Sequence, residues 1–420
     1  MIHRPQNTCA TVLLGLFVAL ASTFMGCTFG SPEVPDTPES INALLYKAPV
    51  RSLEEGSRWT VSDVPGTLSV QHGYGCLQQG FALTEDYVGF RVQDMAVVPR
   101  SVADAGTVIL NGWDVQYTDG DHHVAGLGAV IFNITEERTE EYFALRWDAG
   151  GVLSDKDGYD GYRWCYRYTL VFWNRGTFNA VVPYQHDVAT TFVQGAYAEN
   201  GTALLDLPGQ VAIPSYGGPG VVLPRGVGLS WTHTDHHVLQ VAFDLGPSTP
   251  LLTGNGLAWT AQTILKDNSA VDNYYGAVLV TALTGTSVEM WQPPTVLHWA
   301  GAPPSWVPEP TALILSPDAA DCDGLAGAAE ELLESYSVEN VPFDYAVPVL
   351  TGWDLSYVCT DHHVKRVGAY LADFSYVKDP AAATGTLNYT VFSTLRDESD
   401  NGHAARYKVN ILGLNAMEGR

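Results

Sequence analysis

Short runs in which apolar and polar residues alternate are spread along most of this chain, and they predict β strands. In 113–117, Trp113, Val115 and Tyr117 alternate with two polar residues, the period of two expected when one face of a strand is buried. Helical periodicity is nearly absent, and only 326–333 predicts a short helix. The pattern therefore indicates an all-β protein of antiparallel strands. Further runs of strand length lie at 142–147, 166–173, 277–283, 387–392 and 405–412.

One segment of this pattern occurs three times. Residues 112–129, 226–243 and 352–369 align without a gap, and each contains the tetrapeptide Asp-His-His-Val preceded by an aromatic residue and a glycine at fixed distances. An acidic loop and another β-type run follow each copy. Such self-similarity is typical of a repeated structural unit. The signature residues are Asp121, His122 and His123 in the first copy, Asp235, His236 and His237 in the second, and Asp361, His362 and His363 in the third.

The repeat predicts the domain organisation. We expect three tandem antiparallel β-sandwich units at 51–176, 177–292 and 293–420. The last range begins with a linker rich in Pro and Trp, at 293–310.

The signature itself predicts a β-hairpin in each unit. Residues 118–121 carry turn chemistry, and 122–131 would form the return strand, with a bulge or twist inside it. In this interpretation Asp121 accepts turn amides of its own hairpin, and one histidine lies under the aromatic ring of Tyr117 and hydrogen-bonds Asp121 or Asp114.

Asp and His also bind metals and transfer protons, so a shared ligand site and a catalytic role stay open as alternatives. Neighbouring residues on a strand point to opposite faces, so His122 and His123 are not expected to chelate one ion. All three units carry the signature, whereas one catalytic site needs only one copy. The structural role is the favoured interpretation.

The acidic loop of the first unit is a separate candidate for a metal. Asp155, Asp157 and Asp160 alternate with residues that allow tight turning, and calcium takes six to eight oxygen ligands from such loops. The bidentate Glu that closes an EF-hand is missing, and a solvated turn is the alternative. No other cofactor is predicted.

The amino terminus predicts export. Residues 1–26 have a positive start, an apolar core and small residues after it, the layout of a secretory signal. The sequence Phe-Met-Gly-Cys ending at Cys27 resembles a bacterial lipobox, which implies that Cys27 is lipidated and anchors the chain to a membrane. Thr28 after the cysteine implies sorting to the outer membrane or cell surface. An ordinary cleaved signal and an uncleaved anchor helix are the alternatives. Residues 27–50, rich in Pro, Ser and acidic side chains, predict a disordered tether.

Four cysteines lie beyond the signal and the lipobox. An even number in an exported chain predicts disulfides. Assigning each bridge to one unit gives Cys76–Cys165 in the first and Cys322–Cys359 in the third.

The charge balance excludes some partners. With 46 acidic and 21 basic residues the formal net charge is −25. A nucleic-acid partner is not expected, because binding to the phosphate backbone needs Lys and Arg. Charge-driven docking on anionic lipid is excluded on the same ground.

The order of strands and acidic loop, ending in runs such as Tyr-Lys-Val-Asn-Ile-Leu at 407–412, resembles the layout of the H-type lectin sandwich over about 65 residues of each unit. The resemblance implies six-stranded sandwiches that bind sugars and assemble as trimers. No sugar-binding residue of that family matches a position here.

Three functions follow in order of preference. The first is a non-enzymatic surface lipoprotein that recognises carbohydrate or envelope components. The second is a structural envelope lipoprotein that packs with itself or with a partner protein. The third is an enzyme acting on surface polymers; none of the common catalytic motifs, such as GxSxG or HExxH, is present in the sequence.

Overall fold

A computed structural model of the chain describes residues 50–51, 58–64, 68–79, 89–155, 160–179, 181–189, 193–194, 205–212, 220–231, 235–250, 256–268, 274–292, 297–300, 330–357, 360–399 and 401–416. The predicted signal, Cys27 and the tether up to residue 49 lie outside these ranges. Within them, no helical segment has the length and apolar character needed to cross a membrane.

The described residues form strands and no helix, so the all-β prediction is confirmed. The strands are β1 (Val50–Arg51), β2 (Arg58–Val64), β3 (Leu68–Gln79), β4 (Gly89–Pro99), β5 (Ala105–Tyr117), β6 (Gly126–Arg138), β7 (Tyr142–Ser154), β8 (Tyr162–Trp173), β9 (Val181–Ala189), β10 (Val193–Gln194), β11 (Leu205–Ala212), β12 (Gly220–Trp231), β13 (Gln240–Leu245), β14 (Thr249–Pro250), β15 (Gly256–Lys266), β16 (Tyr274–Thr284), β17 (Val288–Trp291), β18 (Leu297–Ala300), β19 (Glu331–Val341), β20 (Tyr345–Tyr357), β21 (Arg366–Lys378), β22 (Gly385–Arg396) and β23 (His403–Leu414).

These strands build three sheets. Sheet I has the order β1-β4-β7-β6-β12-β16-β10, with β9 also on β16. Sheet II has the order β11-β15-β13-β20-β23-β17, with β14 on β15 and β18 on β23. Sheet III has the order β19-β22-β21-β5-β8-β3-β2.

Each sheet combines strands from two repeats. In sheet I, β6 of the first repeat pairs with β12 of the second; in sheet II, β13 of the second pairs with β20 of the third; in sheet III, β21 of the third pairs with β5 of the first. This arrangement differs from the expected three tandem sandwiches, because every repeat gives strands to two sheets. Buried side chains of all three repeats belong to one hydrophobic core.

The three seams between repeats have matching registers. Residues 126–130 pair with 226–230, 240–244 with 352–356, and 366–370 with 112–116. Each seam begins five residues after the signature aspartate of one repeat and ends at the signature glycine of another. The three repeats are therefore related by an internal threefold pseudosymmetry in a single chain.

The predicted hairpin is wrong. Strand β5 pairs with β8 and β21, whereas β6 pairs with β7 and β12, so the two strands flanking the first signature belong to different sheets. The same switch occurs between β12 and β13 and between β20 and β21. The signature is a crossover between sheets, and the return strand begins only at Gly126.

The predicted short helix at 326–333 is wrong where the structure describes it. Glu331 opens β19, which pairs with β22 over most of its length. Three side chains of this strand, Leu332, Val338 and Val341, are buried. Their burial outweighs the helical propensity of the Ala, Glu and Leu residues in this segment.

The disulfide predicted for the first repeat is confirmed. Cys76 on β3 and Cys165 on β8 are register partners and are bonded. Cys322 and Cys359 lie outside the described residues, so their pairing stays a prediction.

A buried histidine in this fold predicts a specific pH dependence. His72 contacts Thr169 and the ring of Phe374, which belongs to the third repeat. Burial, helped by the charge of Arg167, lowers the pKa of His72 from 6.5 to about 4. The unfolded chain therefore binds this proton more tightly, and stability should fall by about 3 kcal/mol as the pH drops from 6.5 to 4. Chemical denaturation at several pH values in this range should show that the free energy of unfolding falls less steeply in His72→Gln than in the unaltered protein. An identical fall in both proteins would contradict the role given to His72.

Candidate metal centre

The three signatures, one from each repeat, contact one another. His122 forms a two-residue bridge with Val364, Val124 with His236, and Val238 with His362. The backbone hydrogen bonds of these bridges measure 2.8–3.1 Å. Each signature thus contacts the next, and the three close into a ring.

The first histidine of each signature faces its own repeat. The ring of His122 lies 4.6 Å from that of Tyr117, as predicted, and His236 and His362 lie 4.9 Å from Trp231 and Tyr357. Nδ1 of each ring approaches the aspartate that opens the acidic loop, not the signature aspartate. The distances are 3.5 Å from His122 to Asp155, 3.1 Å from His236 to Asp267 and 3.1 Å from His362 to Asp397.

The second histidines converge on one another. The ring centroids of His123, His237 and His363 are 4.5–4.6 Å apart, with interplanar angles of 61–81°. One ring nitrogen from each residue lies within 4.8 Å of the other two. Neighbouring histidines of one repeat diverge, as predicted, yet equivalent histidines of three repeats form one cluster that was not predicted.

A carboxylate from another repeat stands behind each of these rings. Nδ1 of His123 is 3.7 Å from Asp235, Nδ1 of His237 is 3.7 Å from Asp361, and Nδ1 of His363 is 3.4 Å from Asp121. The carboxylates are mostly buried, and the imidazoles are 39–42% exposed. An imidazole that directs Nδ1 to a carboxylate keeps Nε2 for a metal, and the carboxylate fixes the orientation of the ring.

The acidic loops hold these carboxylates in place. The amide of Glu398 donates to Asp121 at 3.1 Å, and the amide of Asn268 donates to Asp361 at 3.1 Å. Both donors belong to a different repeat from the aspartate they bind. Asp121 and Asp361 therefore do accept loop amides, but they connect repeats rather than closing their own hairpins. Residue 156, the equivalent loop position in the first repeat, lies outside the described residues.

The electrostatics of the cluster follow from this arrangement. Burial, and then the nearby His363, lower the pKa of His123. For Asp121, burial alone would raise the pKa, but the amide of Glu398 and the ring of His363 outweigh it and the pKa is lowered. A histidine binds a metal in its neutral form, and a carboxylate beside its other ring nitrogen fixes the orientation of the ring.

The donor set fits a transition metal. Three imidazoles are the protein ligands of open tetrahedral zinc sites, in which Zn–N distances of about 2.0–2.1 Å place the nitrogens about 3.3 Å apart. The nitrogens here lie within 4.8 Å of one another, so they would approach by up to about 1.5 Å to ligate one ion. Imidazole suits zinc, copper, iron and nickel, whereas calcium and magnesium prefer oxygen ligands.

A second cluster combines His122, Asp155 and Asp160, whose candidate ligand atoms also lie within 4.8 Å of one another. Nδ1 of His122 lies 3.1 Å from Asp160, and Nε2 lies 2.9 Å from the carbonyl oxygen of Asp119. Both ring nitrogens face protein oxygen atoms, so the imidazole of His122 is already engaged and leaves no nitrogen for a metal. The two aspartates predicted to bind calcium are engaged by this imidazole, and Asp157 lies outside the described residues.

Comparisons with known proteins add no family to this description. No protein-family model matches the chain, and searches of curated proteins and of solved structures found no match. The geometry of the site is therefore the basis on which a function can be inferred.

Proposed function

We propose that this protein is an exported binding protein whose functional centre is one transition-metal ion, zinc in the first instance, held by His123, His237 and His363. The observation that carries the proposal is the convergence of these three imidazoles, each with a carboxylate of another repeat 3.4–3.7 Å from its Nδ1. The proposal keeps the sequence prediction of a non-enzymatic binding protein and gives it a chemical centre.

The scaffold supports this role. Each signature is fixed between two strands of different sheets and by a bridge to a neighbouring signature. His123, for example, lies between the bridge residues His122 and Val124, so the backbone is hydrogen-bonded on both sides of this ligand. Because each repeat supplies one imidazole, the chain forms one such site, and the repetition of the signature is what completes it.

The cellular location of the protein remains a proposal from the sequence. A lipid on Cys27 would attach it to the outer membrane or cell surface, and the disulfide Cys76–Cys165 is consistent with an oxidising compartment. Recognition of carbohydrate, and the alternative of a structural envelope role with a partner protein, also stay predictions. The lectin resemblance is the only support for carbohydrate.

Zinc binding is the direct test of the proposed function. Protein treated with chelator and dialysed against zinc should retain one zinc per chain, measured by elemental analysis. Its free energy of unfolding should rise by about 4 kcal/mol at a free zinc concentration a thousandfold above Kd. Calcium at the same concentration should leave the melting temperature unchanged. Failure to retain zinc, or an unchanged melting temperature in its presence, would contradict the proposal.

A further inference from the structure

We infer that the metal of this centre takes a neutral imidazole nitrogen as its outer ligand and discriminates against anions. This inference rests on the proposed function and concerns its ligand class. The ligand is a histidine side chain of a partner or a small imidazole compound, and the two sources share the same chemistry.

The arrangement leaves a coordination position for such a ligand. Three protein ligands fill three positions of a tetrahedral ion, and the fourth belongs to water or to an exogenous ligand. His123, His237 and His363 are related by the pseudosymmetry, so the fourth position lies on the axis they share. Their imidazoles are 39–42% exposed, so solvent reaches the cluster.

The charges around the position disfavour an anion. Asp121, Asp235 and Asp361 bring three carboxylates into direct contact with the ligand rings. Their three negative charges exceed the two positive charges of a divalent ion, so the loaded centre stays negative. The side chain of Glu398, whose amide anchors Asp121, is paired with Lys365 at 3.5 Å and adds no net charge. The chain as a whole carries −25.

Among neutral donors, imidazole matches the ligands already present. Imidazole suits zinc, copper, iron and nickel, whereas carbonyl oxygen and water suit magnesium, calcium and manganese. An imidazole ligand adds no charge to an already negative centre. The same features explain why a carboxylate, phosphate or sulfate group is a poor partner here.

Cobalt(II) substitution provides a visible spectrum that reports the ligands of the metal. Full-length protein loaded with cobalt should be titrated with imidazole, with a short peptide carrying one histidine, with the same peptide carrying glutamine, and with azide. We expect imidazole to alter the cobalt bands at a concentration at least tenfold lower than azide. A response to the histidine peptide, but not to the glutamine peptide, would assign the ligand to a partner's side chain. A response to imidazole alone would assign it to a small molecule.

Charge variants separate the selectivity of the protein from the intrinsic preference of cobalt. Asp235→Asn and Asp361→Asn should each shift the ratio of azide to imidazole affinity towards azide by about fivefold. Asp379→Asn, at the far end of β21 from the signature, should leave the ratio unchanged. An unchanged ratio in both site variants, or azide binding as tightly as imidazole in the unaltered protein, would overturn the inference. A protein that takes up no cobalt would contradict the proposed function instead.

Discussion

Gly112→Ala should lower the free energy of unfolding of the entire protein by about 4 kcal/mol. Gly112 has φ of 107°, which an alanine adopts only with strain, and an added Cβ would lie 2.1 Å from the carbonyl oxygen of Ala369. The strain costs about 1–3 kcal/mol and the overpacking a similar amount. The clash falls on the seam between β5 and β21, which joins the first repeat to the third.

Gly120→Ala is the matched control. Gly120 also has a positive φ, 85°, but the nearest atoms to an added Cβ are 3.6 and 3.8 Å away. It should therefore cost only the conformational term, about 1–2 kcal/mol. Urea unfolding followed by tryptophan fluorescence and by far-ultraviolet circular dichroism should give coincident single transitions for both variants. Separate transitions would contradict the shared sheets and favour the three tandem units expected from the sequence.

Replacing any one of the three central histidines should weaken zinc binding about a hundredfold or more. Structural zinc sites with four ligands bind with about 10–16 kcal/mol, so one ligand is worth about 3 kcal/mol. His123→Gln, His237→Gln and His363→Gln should have similar effects, although these residues are spread across three repeats. Competition with a chromophoric chelator measures each affinity.

Two further variants test the assignment of ligands, one expected to leave zinc binding unchanged and one expected to weaken it. His236→Gln removes a histidine beside a central one, but its ring lies against Trp231 and Asp267, so zinc affinity should remain within a fewfold of the unaltered value. Asp361→Asn removes the carboxylate behind His237 and should weaken zinc binding by about 10- to 100-fold. A loss in His236→Gln equal to that in His237→Gln would contradict the assignment of ligands.

The strands were predictable from the sequence, but their partners were not. Alternation at Trp113, Val115 and Tyr117 predicted a strand with one buried face, but β5 is buried on both faces, Asp114 included, because a second layer covers it. Val124 and Leu127 fall on opposite parities, and the sequence alone suggested a bulge inside one hairpin. The structure shows a crossover there, because Val124 bridges to His236 of the next repeat. Local periodicity carries no information about which strand lies alongside.

The same limit applies to the site. The divergence of His122 and His123 follows from the geometry of an extended chain, and that prediction holds. The cluster depends instead on long-range pairing, since its members are brought together only when the seams of three repeats close. The signal in the sequence was the gapless alignment of the three segments around the signature, which implies equivalent positions for the three signatures.

X-ray absorption at the zinc edge tests the central claim most directly. For zinc-loaded protein, the account predicts four nitrogen or oxygen neighbours at about 2.0–2.1 Å, with the outer-shell scattering of three imidazole rings. Addition of imidazole should raise the ring count to four. A first shell containing sulfur, a shell of six oxygens, or scattering from a single imidazole would contradict the three-histidine centre.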